Sequence, residues 1–144
     1  MIKIIILWSE PLEFSDLRYM VKNSDIIEVG SHTYTLHSYQ TNGQPAIKKM
    51  EGETDSEYLD RINKDLRVSK ELLELQLEKN IIALSWPFGI STEQAEKIAS
   101  NNNYRLLFTI DQKTFSPEKE LKNIPRFIIQ NGCLDEFKSI LKSN

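Results

Sequence analysis

The sequence predicts an α/β domain built on a mainly parallel sheet. Short apolar runs alternate with segments of helical period, several helical segments open on capping signals, and turn residues punctuate the chain between them. With 144 residues, the chain suits one domain spanning 1–144.

The first apolar run, residues 2–8, reads as a buried strand, apolar on both faces as in a parallel sheet. It carries one lysine and is ended by Ser9, Glu10 and Pro11. It is too short for a secretory signal, with no small-residue cleavage site, and far short of the about 20 apolar residues of a membrane span. No export signal is therefore expected, and as given the chain reads as cytoplasmic. Residues 14–22 read as a short helix with Leu17, Met20 and Val21 on one side. Residues 26–29 read as a second strand, ended by Gly30.

Residues 30–53 are irregular, with turn signals at Asn42-Gly43 and Gln44-Pro45. The clearest helix follows. Thr54 and Glu57 form a capping box, in which each side chain satisfies an orphan amide of the first turn. Leu59, Ile62, Leu66, Leu73 and Leu77 make its inward stripe. Residues 81–84 are a third strand, stopped by Trp86-Pro87-Phe88-Gly89. Ser91 and Gln94 suggest a second capping box for a helix near 91–101, with Ala95, Ile98 and Ala99 inward. Residues 104–110 are a fourth strand and 127–129 a shorter fifth. A last helix starts near Cys133 with Leu134, Phe137 and Leu141 inward.

The net charge of -3, with no basic stripe, argues against a nucleic-acid partner. A lone cysteine rules out a disulfide within the chain.

In βα folds, binding residues gather at the C-terminal ends of strands. His32 and His37, the only two histidines, follow the second strand with Thr33, Tyr34, Thr35 and Leu36 between them. Two converging imidazoles can hold a divalent metal such as zinc, or simply line a polar loop. Trp86, Pro87, Phe88 and Gly89 can wall a pocket or only turn the chain from strand to helix. Asp111, at a strand end, can act as a base or cap a turn. Arg126 can pair with a site carboxylate or be a surface charge.

The order of these clusters is more specific than any one of them. Glu28-Val29-Gly30-Ser31-His32-Thr33, then Trp86-Pro87-Phe88-Gly89, then Tyr104 to Asp111, resembles the polysaccharide deacetylase pattern (NodB-like, carbohydrate esterase family 4). Residues 12–17 are similar to the short helix that precedes the family's histidine motif, and the likeness runs from about residue 2 to 130. The spacing from His32 to His37 is one residue longer than the commonest family form. This longer form, with Trp-Pro-aromatic-Gly, resembles the subgroup acting on poly-N-acetylglucosamine. The resemblance implies a partial β/α barrel, His32 and His37 as metal ligands, and zinc as the metal. It implies a pocket lined by Tyr34 and residues 86–89, and a bacterial cell-envelope N-acetylglucosamine polymer as substrate. Family members are usually extracellular or in the cell envelope.

The family reaction is metal-assisted hydrolysis of N-acetyl or O-acetyl groups, a carbon–nitrogen bond in the first case. The resemblance places the base and a third metal ligand in a Thr-Phe-Asp-Asp-Gly segment of the first βα unit, and the general acid in a histidine near the last strand. No Asp-Asp pair and no third histidine occur here. Loss of a general base or acid alone typically costs about 10² to 10⁴ in rate. The expectation is a domain lacking its first βα unit and inactive alone. It is then a fragment of a longer or split enzyme, or a non-catalytic carbohydrate-binding or interaction module. Sheet edges left open near residues 4–7 carry the further expectation of a homo-oligomer formed through that region.

Overall fold

The computed structural model describes residues 12–116, 121–128 and 134–142, with the side chains at 136 and 140–142 set aside. The expected strand at 2–8, the N-terminal sheet edge, Ile129 and Cys133 lie outside the described residues, as does the Leu141 side chain.

Helix α1 (Phe14–Lys22) forms where expected, with Val21 buried and Leu17 packed against the core. Helix α2 (Asp55–Leu77) opens on the Thr54/Glu57 capping box: Thr54 Oγ1 accepts from the Glu57 amide at 3.2 Å, and the Thr54 amide donates to Glu57 Oε2 at 2.8 Å. Strand β1 (Ala83–Ser85) leads into a single helical turn at Pro87–Gly89, then helix α3 (Glu93–Asn101), strand β2 (Leu106–Phe108) and helix α4 (Leu134–Lys142).

β1 and β2 pair in parallel, with Leu84 opposite Leu107. Parallel bridges extend the pairing on both sides, Ser31 to Leu84 and Phe108 to Ile124. The order across the sheet is therefore Ser31, β1, β2, Ile124, all parallel, as alternating β and α segments require. The core lies between this sheet and α2 and α3, and Ile62, Leu66, Leu84, Trp86, Ala95 and Ala99 are fully buried.

Several expectations are corrected. Residues 26–29 form no regular strand, and Ile26 is exposed. Pairing begins instead at Ser31, because Gly30 allows the backbone to approach β1; a Cβ on Gly30 would meet Ala83 at 3.2 Å. The fifth strand shrinks to the bridge at Ile124, since Pro125 supplies no amide for a longer ladder. Leu59 points outward, and Tyr58 takes the inward position, its hydroxyl donating to Ile47 O at 3.2 Å. Leu134 and Phe137 of α4 are exposed, not inward: their apolar stripe is present in the sequence but not covered.

The N-cap of α3 is Thr92 rather than Ser91. Thr92 Oγ1 accepts from the Ala95 amide at 3.1 Å, whereas Ser91 Oγ donates to Glu96 Oε1 at 2.5 Å. Thr92→Ala should therefore lower unfolding free energy by about 1 kcal/mol, and Ser91→Ala by less. Equal losses in urea titrations would count against this assignment.

Candidate functional site

The site is assembled where three segments meet: the turn from Ser31 to Tyr39, the end of β1 with its following turn, and the stretch around Arg126. Its foundation is backbone pairing. The Ser31 amide donates to Ala83 O at 2.9 Å, and the Ser85 amide donates to Ser31 O at 2.9 Å. This register sets His32 beside the carbonyl of Ser85, and His32 Nδ1 lies 2.7 Å from that oxygen. A carbonyl only accepts, so Nδ1 carries the proton. The neutral ring then presents Nε2 as a free lone pair.

His32 and His37 meet edge to face with ring centroids 4.8 Å apart. The Phe88 ring lies 4.7 Å from His37 and 4.4 Å from Tyr39, giving a continuous run His32, His37, Phe88, Tyr39. Phe88 reaches this place because its backbone is left-handed, φ 57°, an unusual conformation for a residue with a side chain. Gly89 is left-handed too, at φ 68°, and a Cβ there would sit 2.3 Å from Ile110 Cγ1, so only glycine fits.

Arg126 donates from Nε to Thr109 O at 2.9 Å, and its guanidinium lies over the Phe108 ring at 5.9 Å. It lines a groove of about 460 Å³ together with Leu17, Val29, His32, Trp86 and Phe88. The His32 pKa is lowered from the ordinary 6.5, first by dehydration of its inner edge, although much of the side chain meets solvent. The hydrogen bond to Ser85 works against this, while the positive charges of His37 and Arg126 add to it. At His32 the surroundings thus favour the neutral imidazole that a metal requires.

The structure brings His32, His37 and Phe88 together and puts Arg126 on the same groove. Trp86 and Pro87 are buried behind them, and Trp86 Nε1 has no hydrogen-bond partner. Tyr34 projects an exposed ring, its amide bound to Asp65. Asp111 is exposed and paired with Lys113 at 3.0 Å. Sequence reasoning missed Tyr39 and Asp65. A carboxylate three residues after Ile62, in phase with the apolar stripe of α2, was the available signal for Asp65.

Among the described residues, no group of three or more His, Cys, Asp or Glu side chains converges to hold a metal. The two imidazoles fit part of a divalent-metal shell, and the hydrogen bond from His32 to a carbonyl is the usual support of such a ligand.

No family model matches the chain. A poly-beta-1,6-N-acetyl-D-glucosamine N-deacetylase from Staphylococcus epidermidis is 29% identical over 116 residues, covering 78% of this chain and 35% of that protein. The BpsB deacetylase domain from Bordetella bronchiseptica superposes with a TM-score of 0.73 at 25% identity, over 82% of this chain and 49% of that one. The chain is a relative of the NodB-like polysaccharide deacetylases. Within them its likeness is to the poly-N-acetylglucosamine deacetylases. IcaB from Ammonifex degensii shares the fold, with a TM-score of 0.74 at 18% identity over 88% of this chain and 52% of that one. The chain thus spans about a third of the curated relative and about half of these solved deacetylase chains. The expected NodB-like fold class is matched as a partial fold with a small parallel sheet. Among the described residues no helix is long and apolar enough to cross a membrane.

A histidine whose folded pKa is depressed favours the folded state above its unfolded value. That advantage is complete above about pH 6.5 and declines as pH falls through 6.5 toward the folded pKa. An NMR titration should find His32 protonating below 6.5, and Arg126→Ala should move it upward. A His32 that titrates at or above the ordinary value would contradict this electrostatic account.

Proposed function

We propose that this chain forms the histidine-bearing part of a metal-dependent deacetylase that acts on an N-acetylglucosamine polymer. The observation that carries the reading is the meeting of His32 and His37 at 4.8 Å, with His32 locked by Ser85 in the tautomer that frees Nε2. His32 and His37 would hold the metal, zinc being suited to imidazole donors. When bound, the metal supplies Lewis-acid polarisation of the scissile acetyl carbonyl. The chain's own residues do the positioning. Phe88 buttresses His37, Tyr34 and Tyr39 offer exposed rings for the apolar face of a sugar, and Arg126 brings fixed positive charge to the groove.

Support for the substrate comes from the curated relative, named for its action on poly-beta-1,6-N-acetyl-D-glucosamine. The remaining metal ligand and the general base are assigned to carboxylates outside these 144 residues, because no Asp-Asp pair occurs in the sequence. On this reading the isolated chain has the ligands for weak metal binding and lacks the groups for turnover.

Calorimetry with zinc should show binding that the His32→Ala/His37→Ala variant loses. Deacetylation of chitooligosaccharides by the chain alone should stay at background. Zinc binding retained by the double variant, or absent from the wild type, would sink the metal assignment. Turnover by the chain alone would sink the assignment of the base to another segment.

A further inference from the structure

The turn between the two histidines is gripped from below by a single side chain. Asp65 Oδ1 accepts from the Tyr34 amide at 2.8 Å, and Oδ2 accepts from the Thr35 amide at 2.7 Å and from Thr35 Oγ1 at 2.6 Å. Asp65 is buried, 6% exposed, and comes from the middle of α2. We propose that Asp65 is the positioning residue of the histidine pair, a buried carboxylate that sets the separation of His32 and His37 by holding the turn between them.

Four features support the assignment. Burying a carboxylate is unfavourable unless both oxygens are satisfied, and here both are, by donors from the turn alone. An apolar residue at this position would continue the stripe of α2 and leave the amides of residues 34 and 35 without that acceptor. The turn needs such a clamp, because Thr33 is left-handed at φ 70°, a conformation that persists only when the surroundings impose it. The platform is firm, since Ile62 and Leu66 on either side of Asp65 are fully buried.

A second anchor on the same helix fixes the start of the turn. Ser69 Oγ and Ser31 Oγ lie 2.6 Å apart, and Ser31 Oγ accepts from the Thr33 amide at 3.2 Å. Leu36, 3% exposed, pins its end in the core just before His37. His32 has its own anchor on Ser85, whereas His37 is reached through the turn. Phe88 supports the His37 ring at 4.7 Å, and the turn that Asp65 holds sets where the His37 backbone stands relative to His32.

This inference rests on the proposed function only for its metal arm, so the test has an arm without metal. In the metal-free chain, proton NMR should show nuclear Overhauser contacts between the His32 and His37 rings. Asp65→Asn turns an amide group toward a donor of the turn and should abolish those contacts. The methyl shifts of Ala95, Ala99 and Leu107 should stay in place and report an intact core. Zinc affinity should fall by about tenfold or more in the same variant. Thr35→Val removes one donor only, and should weaken the contacts in the same direction even if Asp65→Asn does not fold. Ring contacts unchanged in Asp65→Asn, or in Thr35→Val where the first variant is unfolded, would overturn the proposal. A wild-type chain that fails to bind zinc would defeat the metal reading, while the ring contacts would still decide the role of Asp65.

Discussion

The short parallel pairing of Ser31 with β1 is the joint on which the site depends. It exists because Gly30 lacks a side chain and can lie against Ala83. One residue of pairing has two effects. It attaches the irregular segment before α2 to the sheet, and it aligns His32 with the Ser85 carbonyl. Parallel pairs place successive carbonyls at even spacing along the strand. A slip of one residue would therefore turn His32 to the other face of the sheet and separate it from Ser85. The aromatic run through His37, Phe88 and Tyr39 is built outward from that fixed point.

The helices were largely legible in the sequence because their signals are local. The capping box at Thr54 and Glu57 names the start of α2, and the apolar period names its buried face. The error at Leu59 arose because Tyr58 competes for the same inward direction and can satisfy its hydroxyl there. The error at Ser91 arose because Ser91 and Thr92 are adjacent hydroxyl residues, and the choice depends on Glu96 capturing the serine. The strands were less legible. Their ends are decided by tertiary approach at Gly30 and by the missing amide of Pro125, and an apolar run shows neither.

The candidate site divides in the same way. His32, His37 and the turn at 86–89 stand out by residue type, and the structure brings His32, His37 and Phe88 into contact. Tyr39 and Asp65 do not stand out, since each matters through a partner distant in sequence. Asp65 sits thirty residues from Thr35, one of the residues it holds. A charged residue in the phase of an apolar stripe is a visible anomaly, but the donors that satisfy it become visible only when the chain is folded. The four aromatic rings illustrate the same point: three come from one loop and the fourth from the turn after β1.

Trp86 gives the site an unusual optical property. Its indole is fully buried beneath the turn that carries Phe88, it borders the groove shared with His32, and its N–H has no hydrogen-bond partner. An indole held in apolar surroundings emits at shorter wavelength than one in water, and its emission responds to nearby charge. The chain has only two tryptophans. Replacing Trp8 would leave a single tryptophan, in the wall of the site. Occupancy of the groove could then be read as a change in colour, without attaching a dye to the surface it reports on.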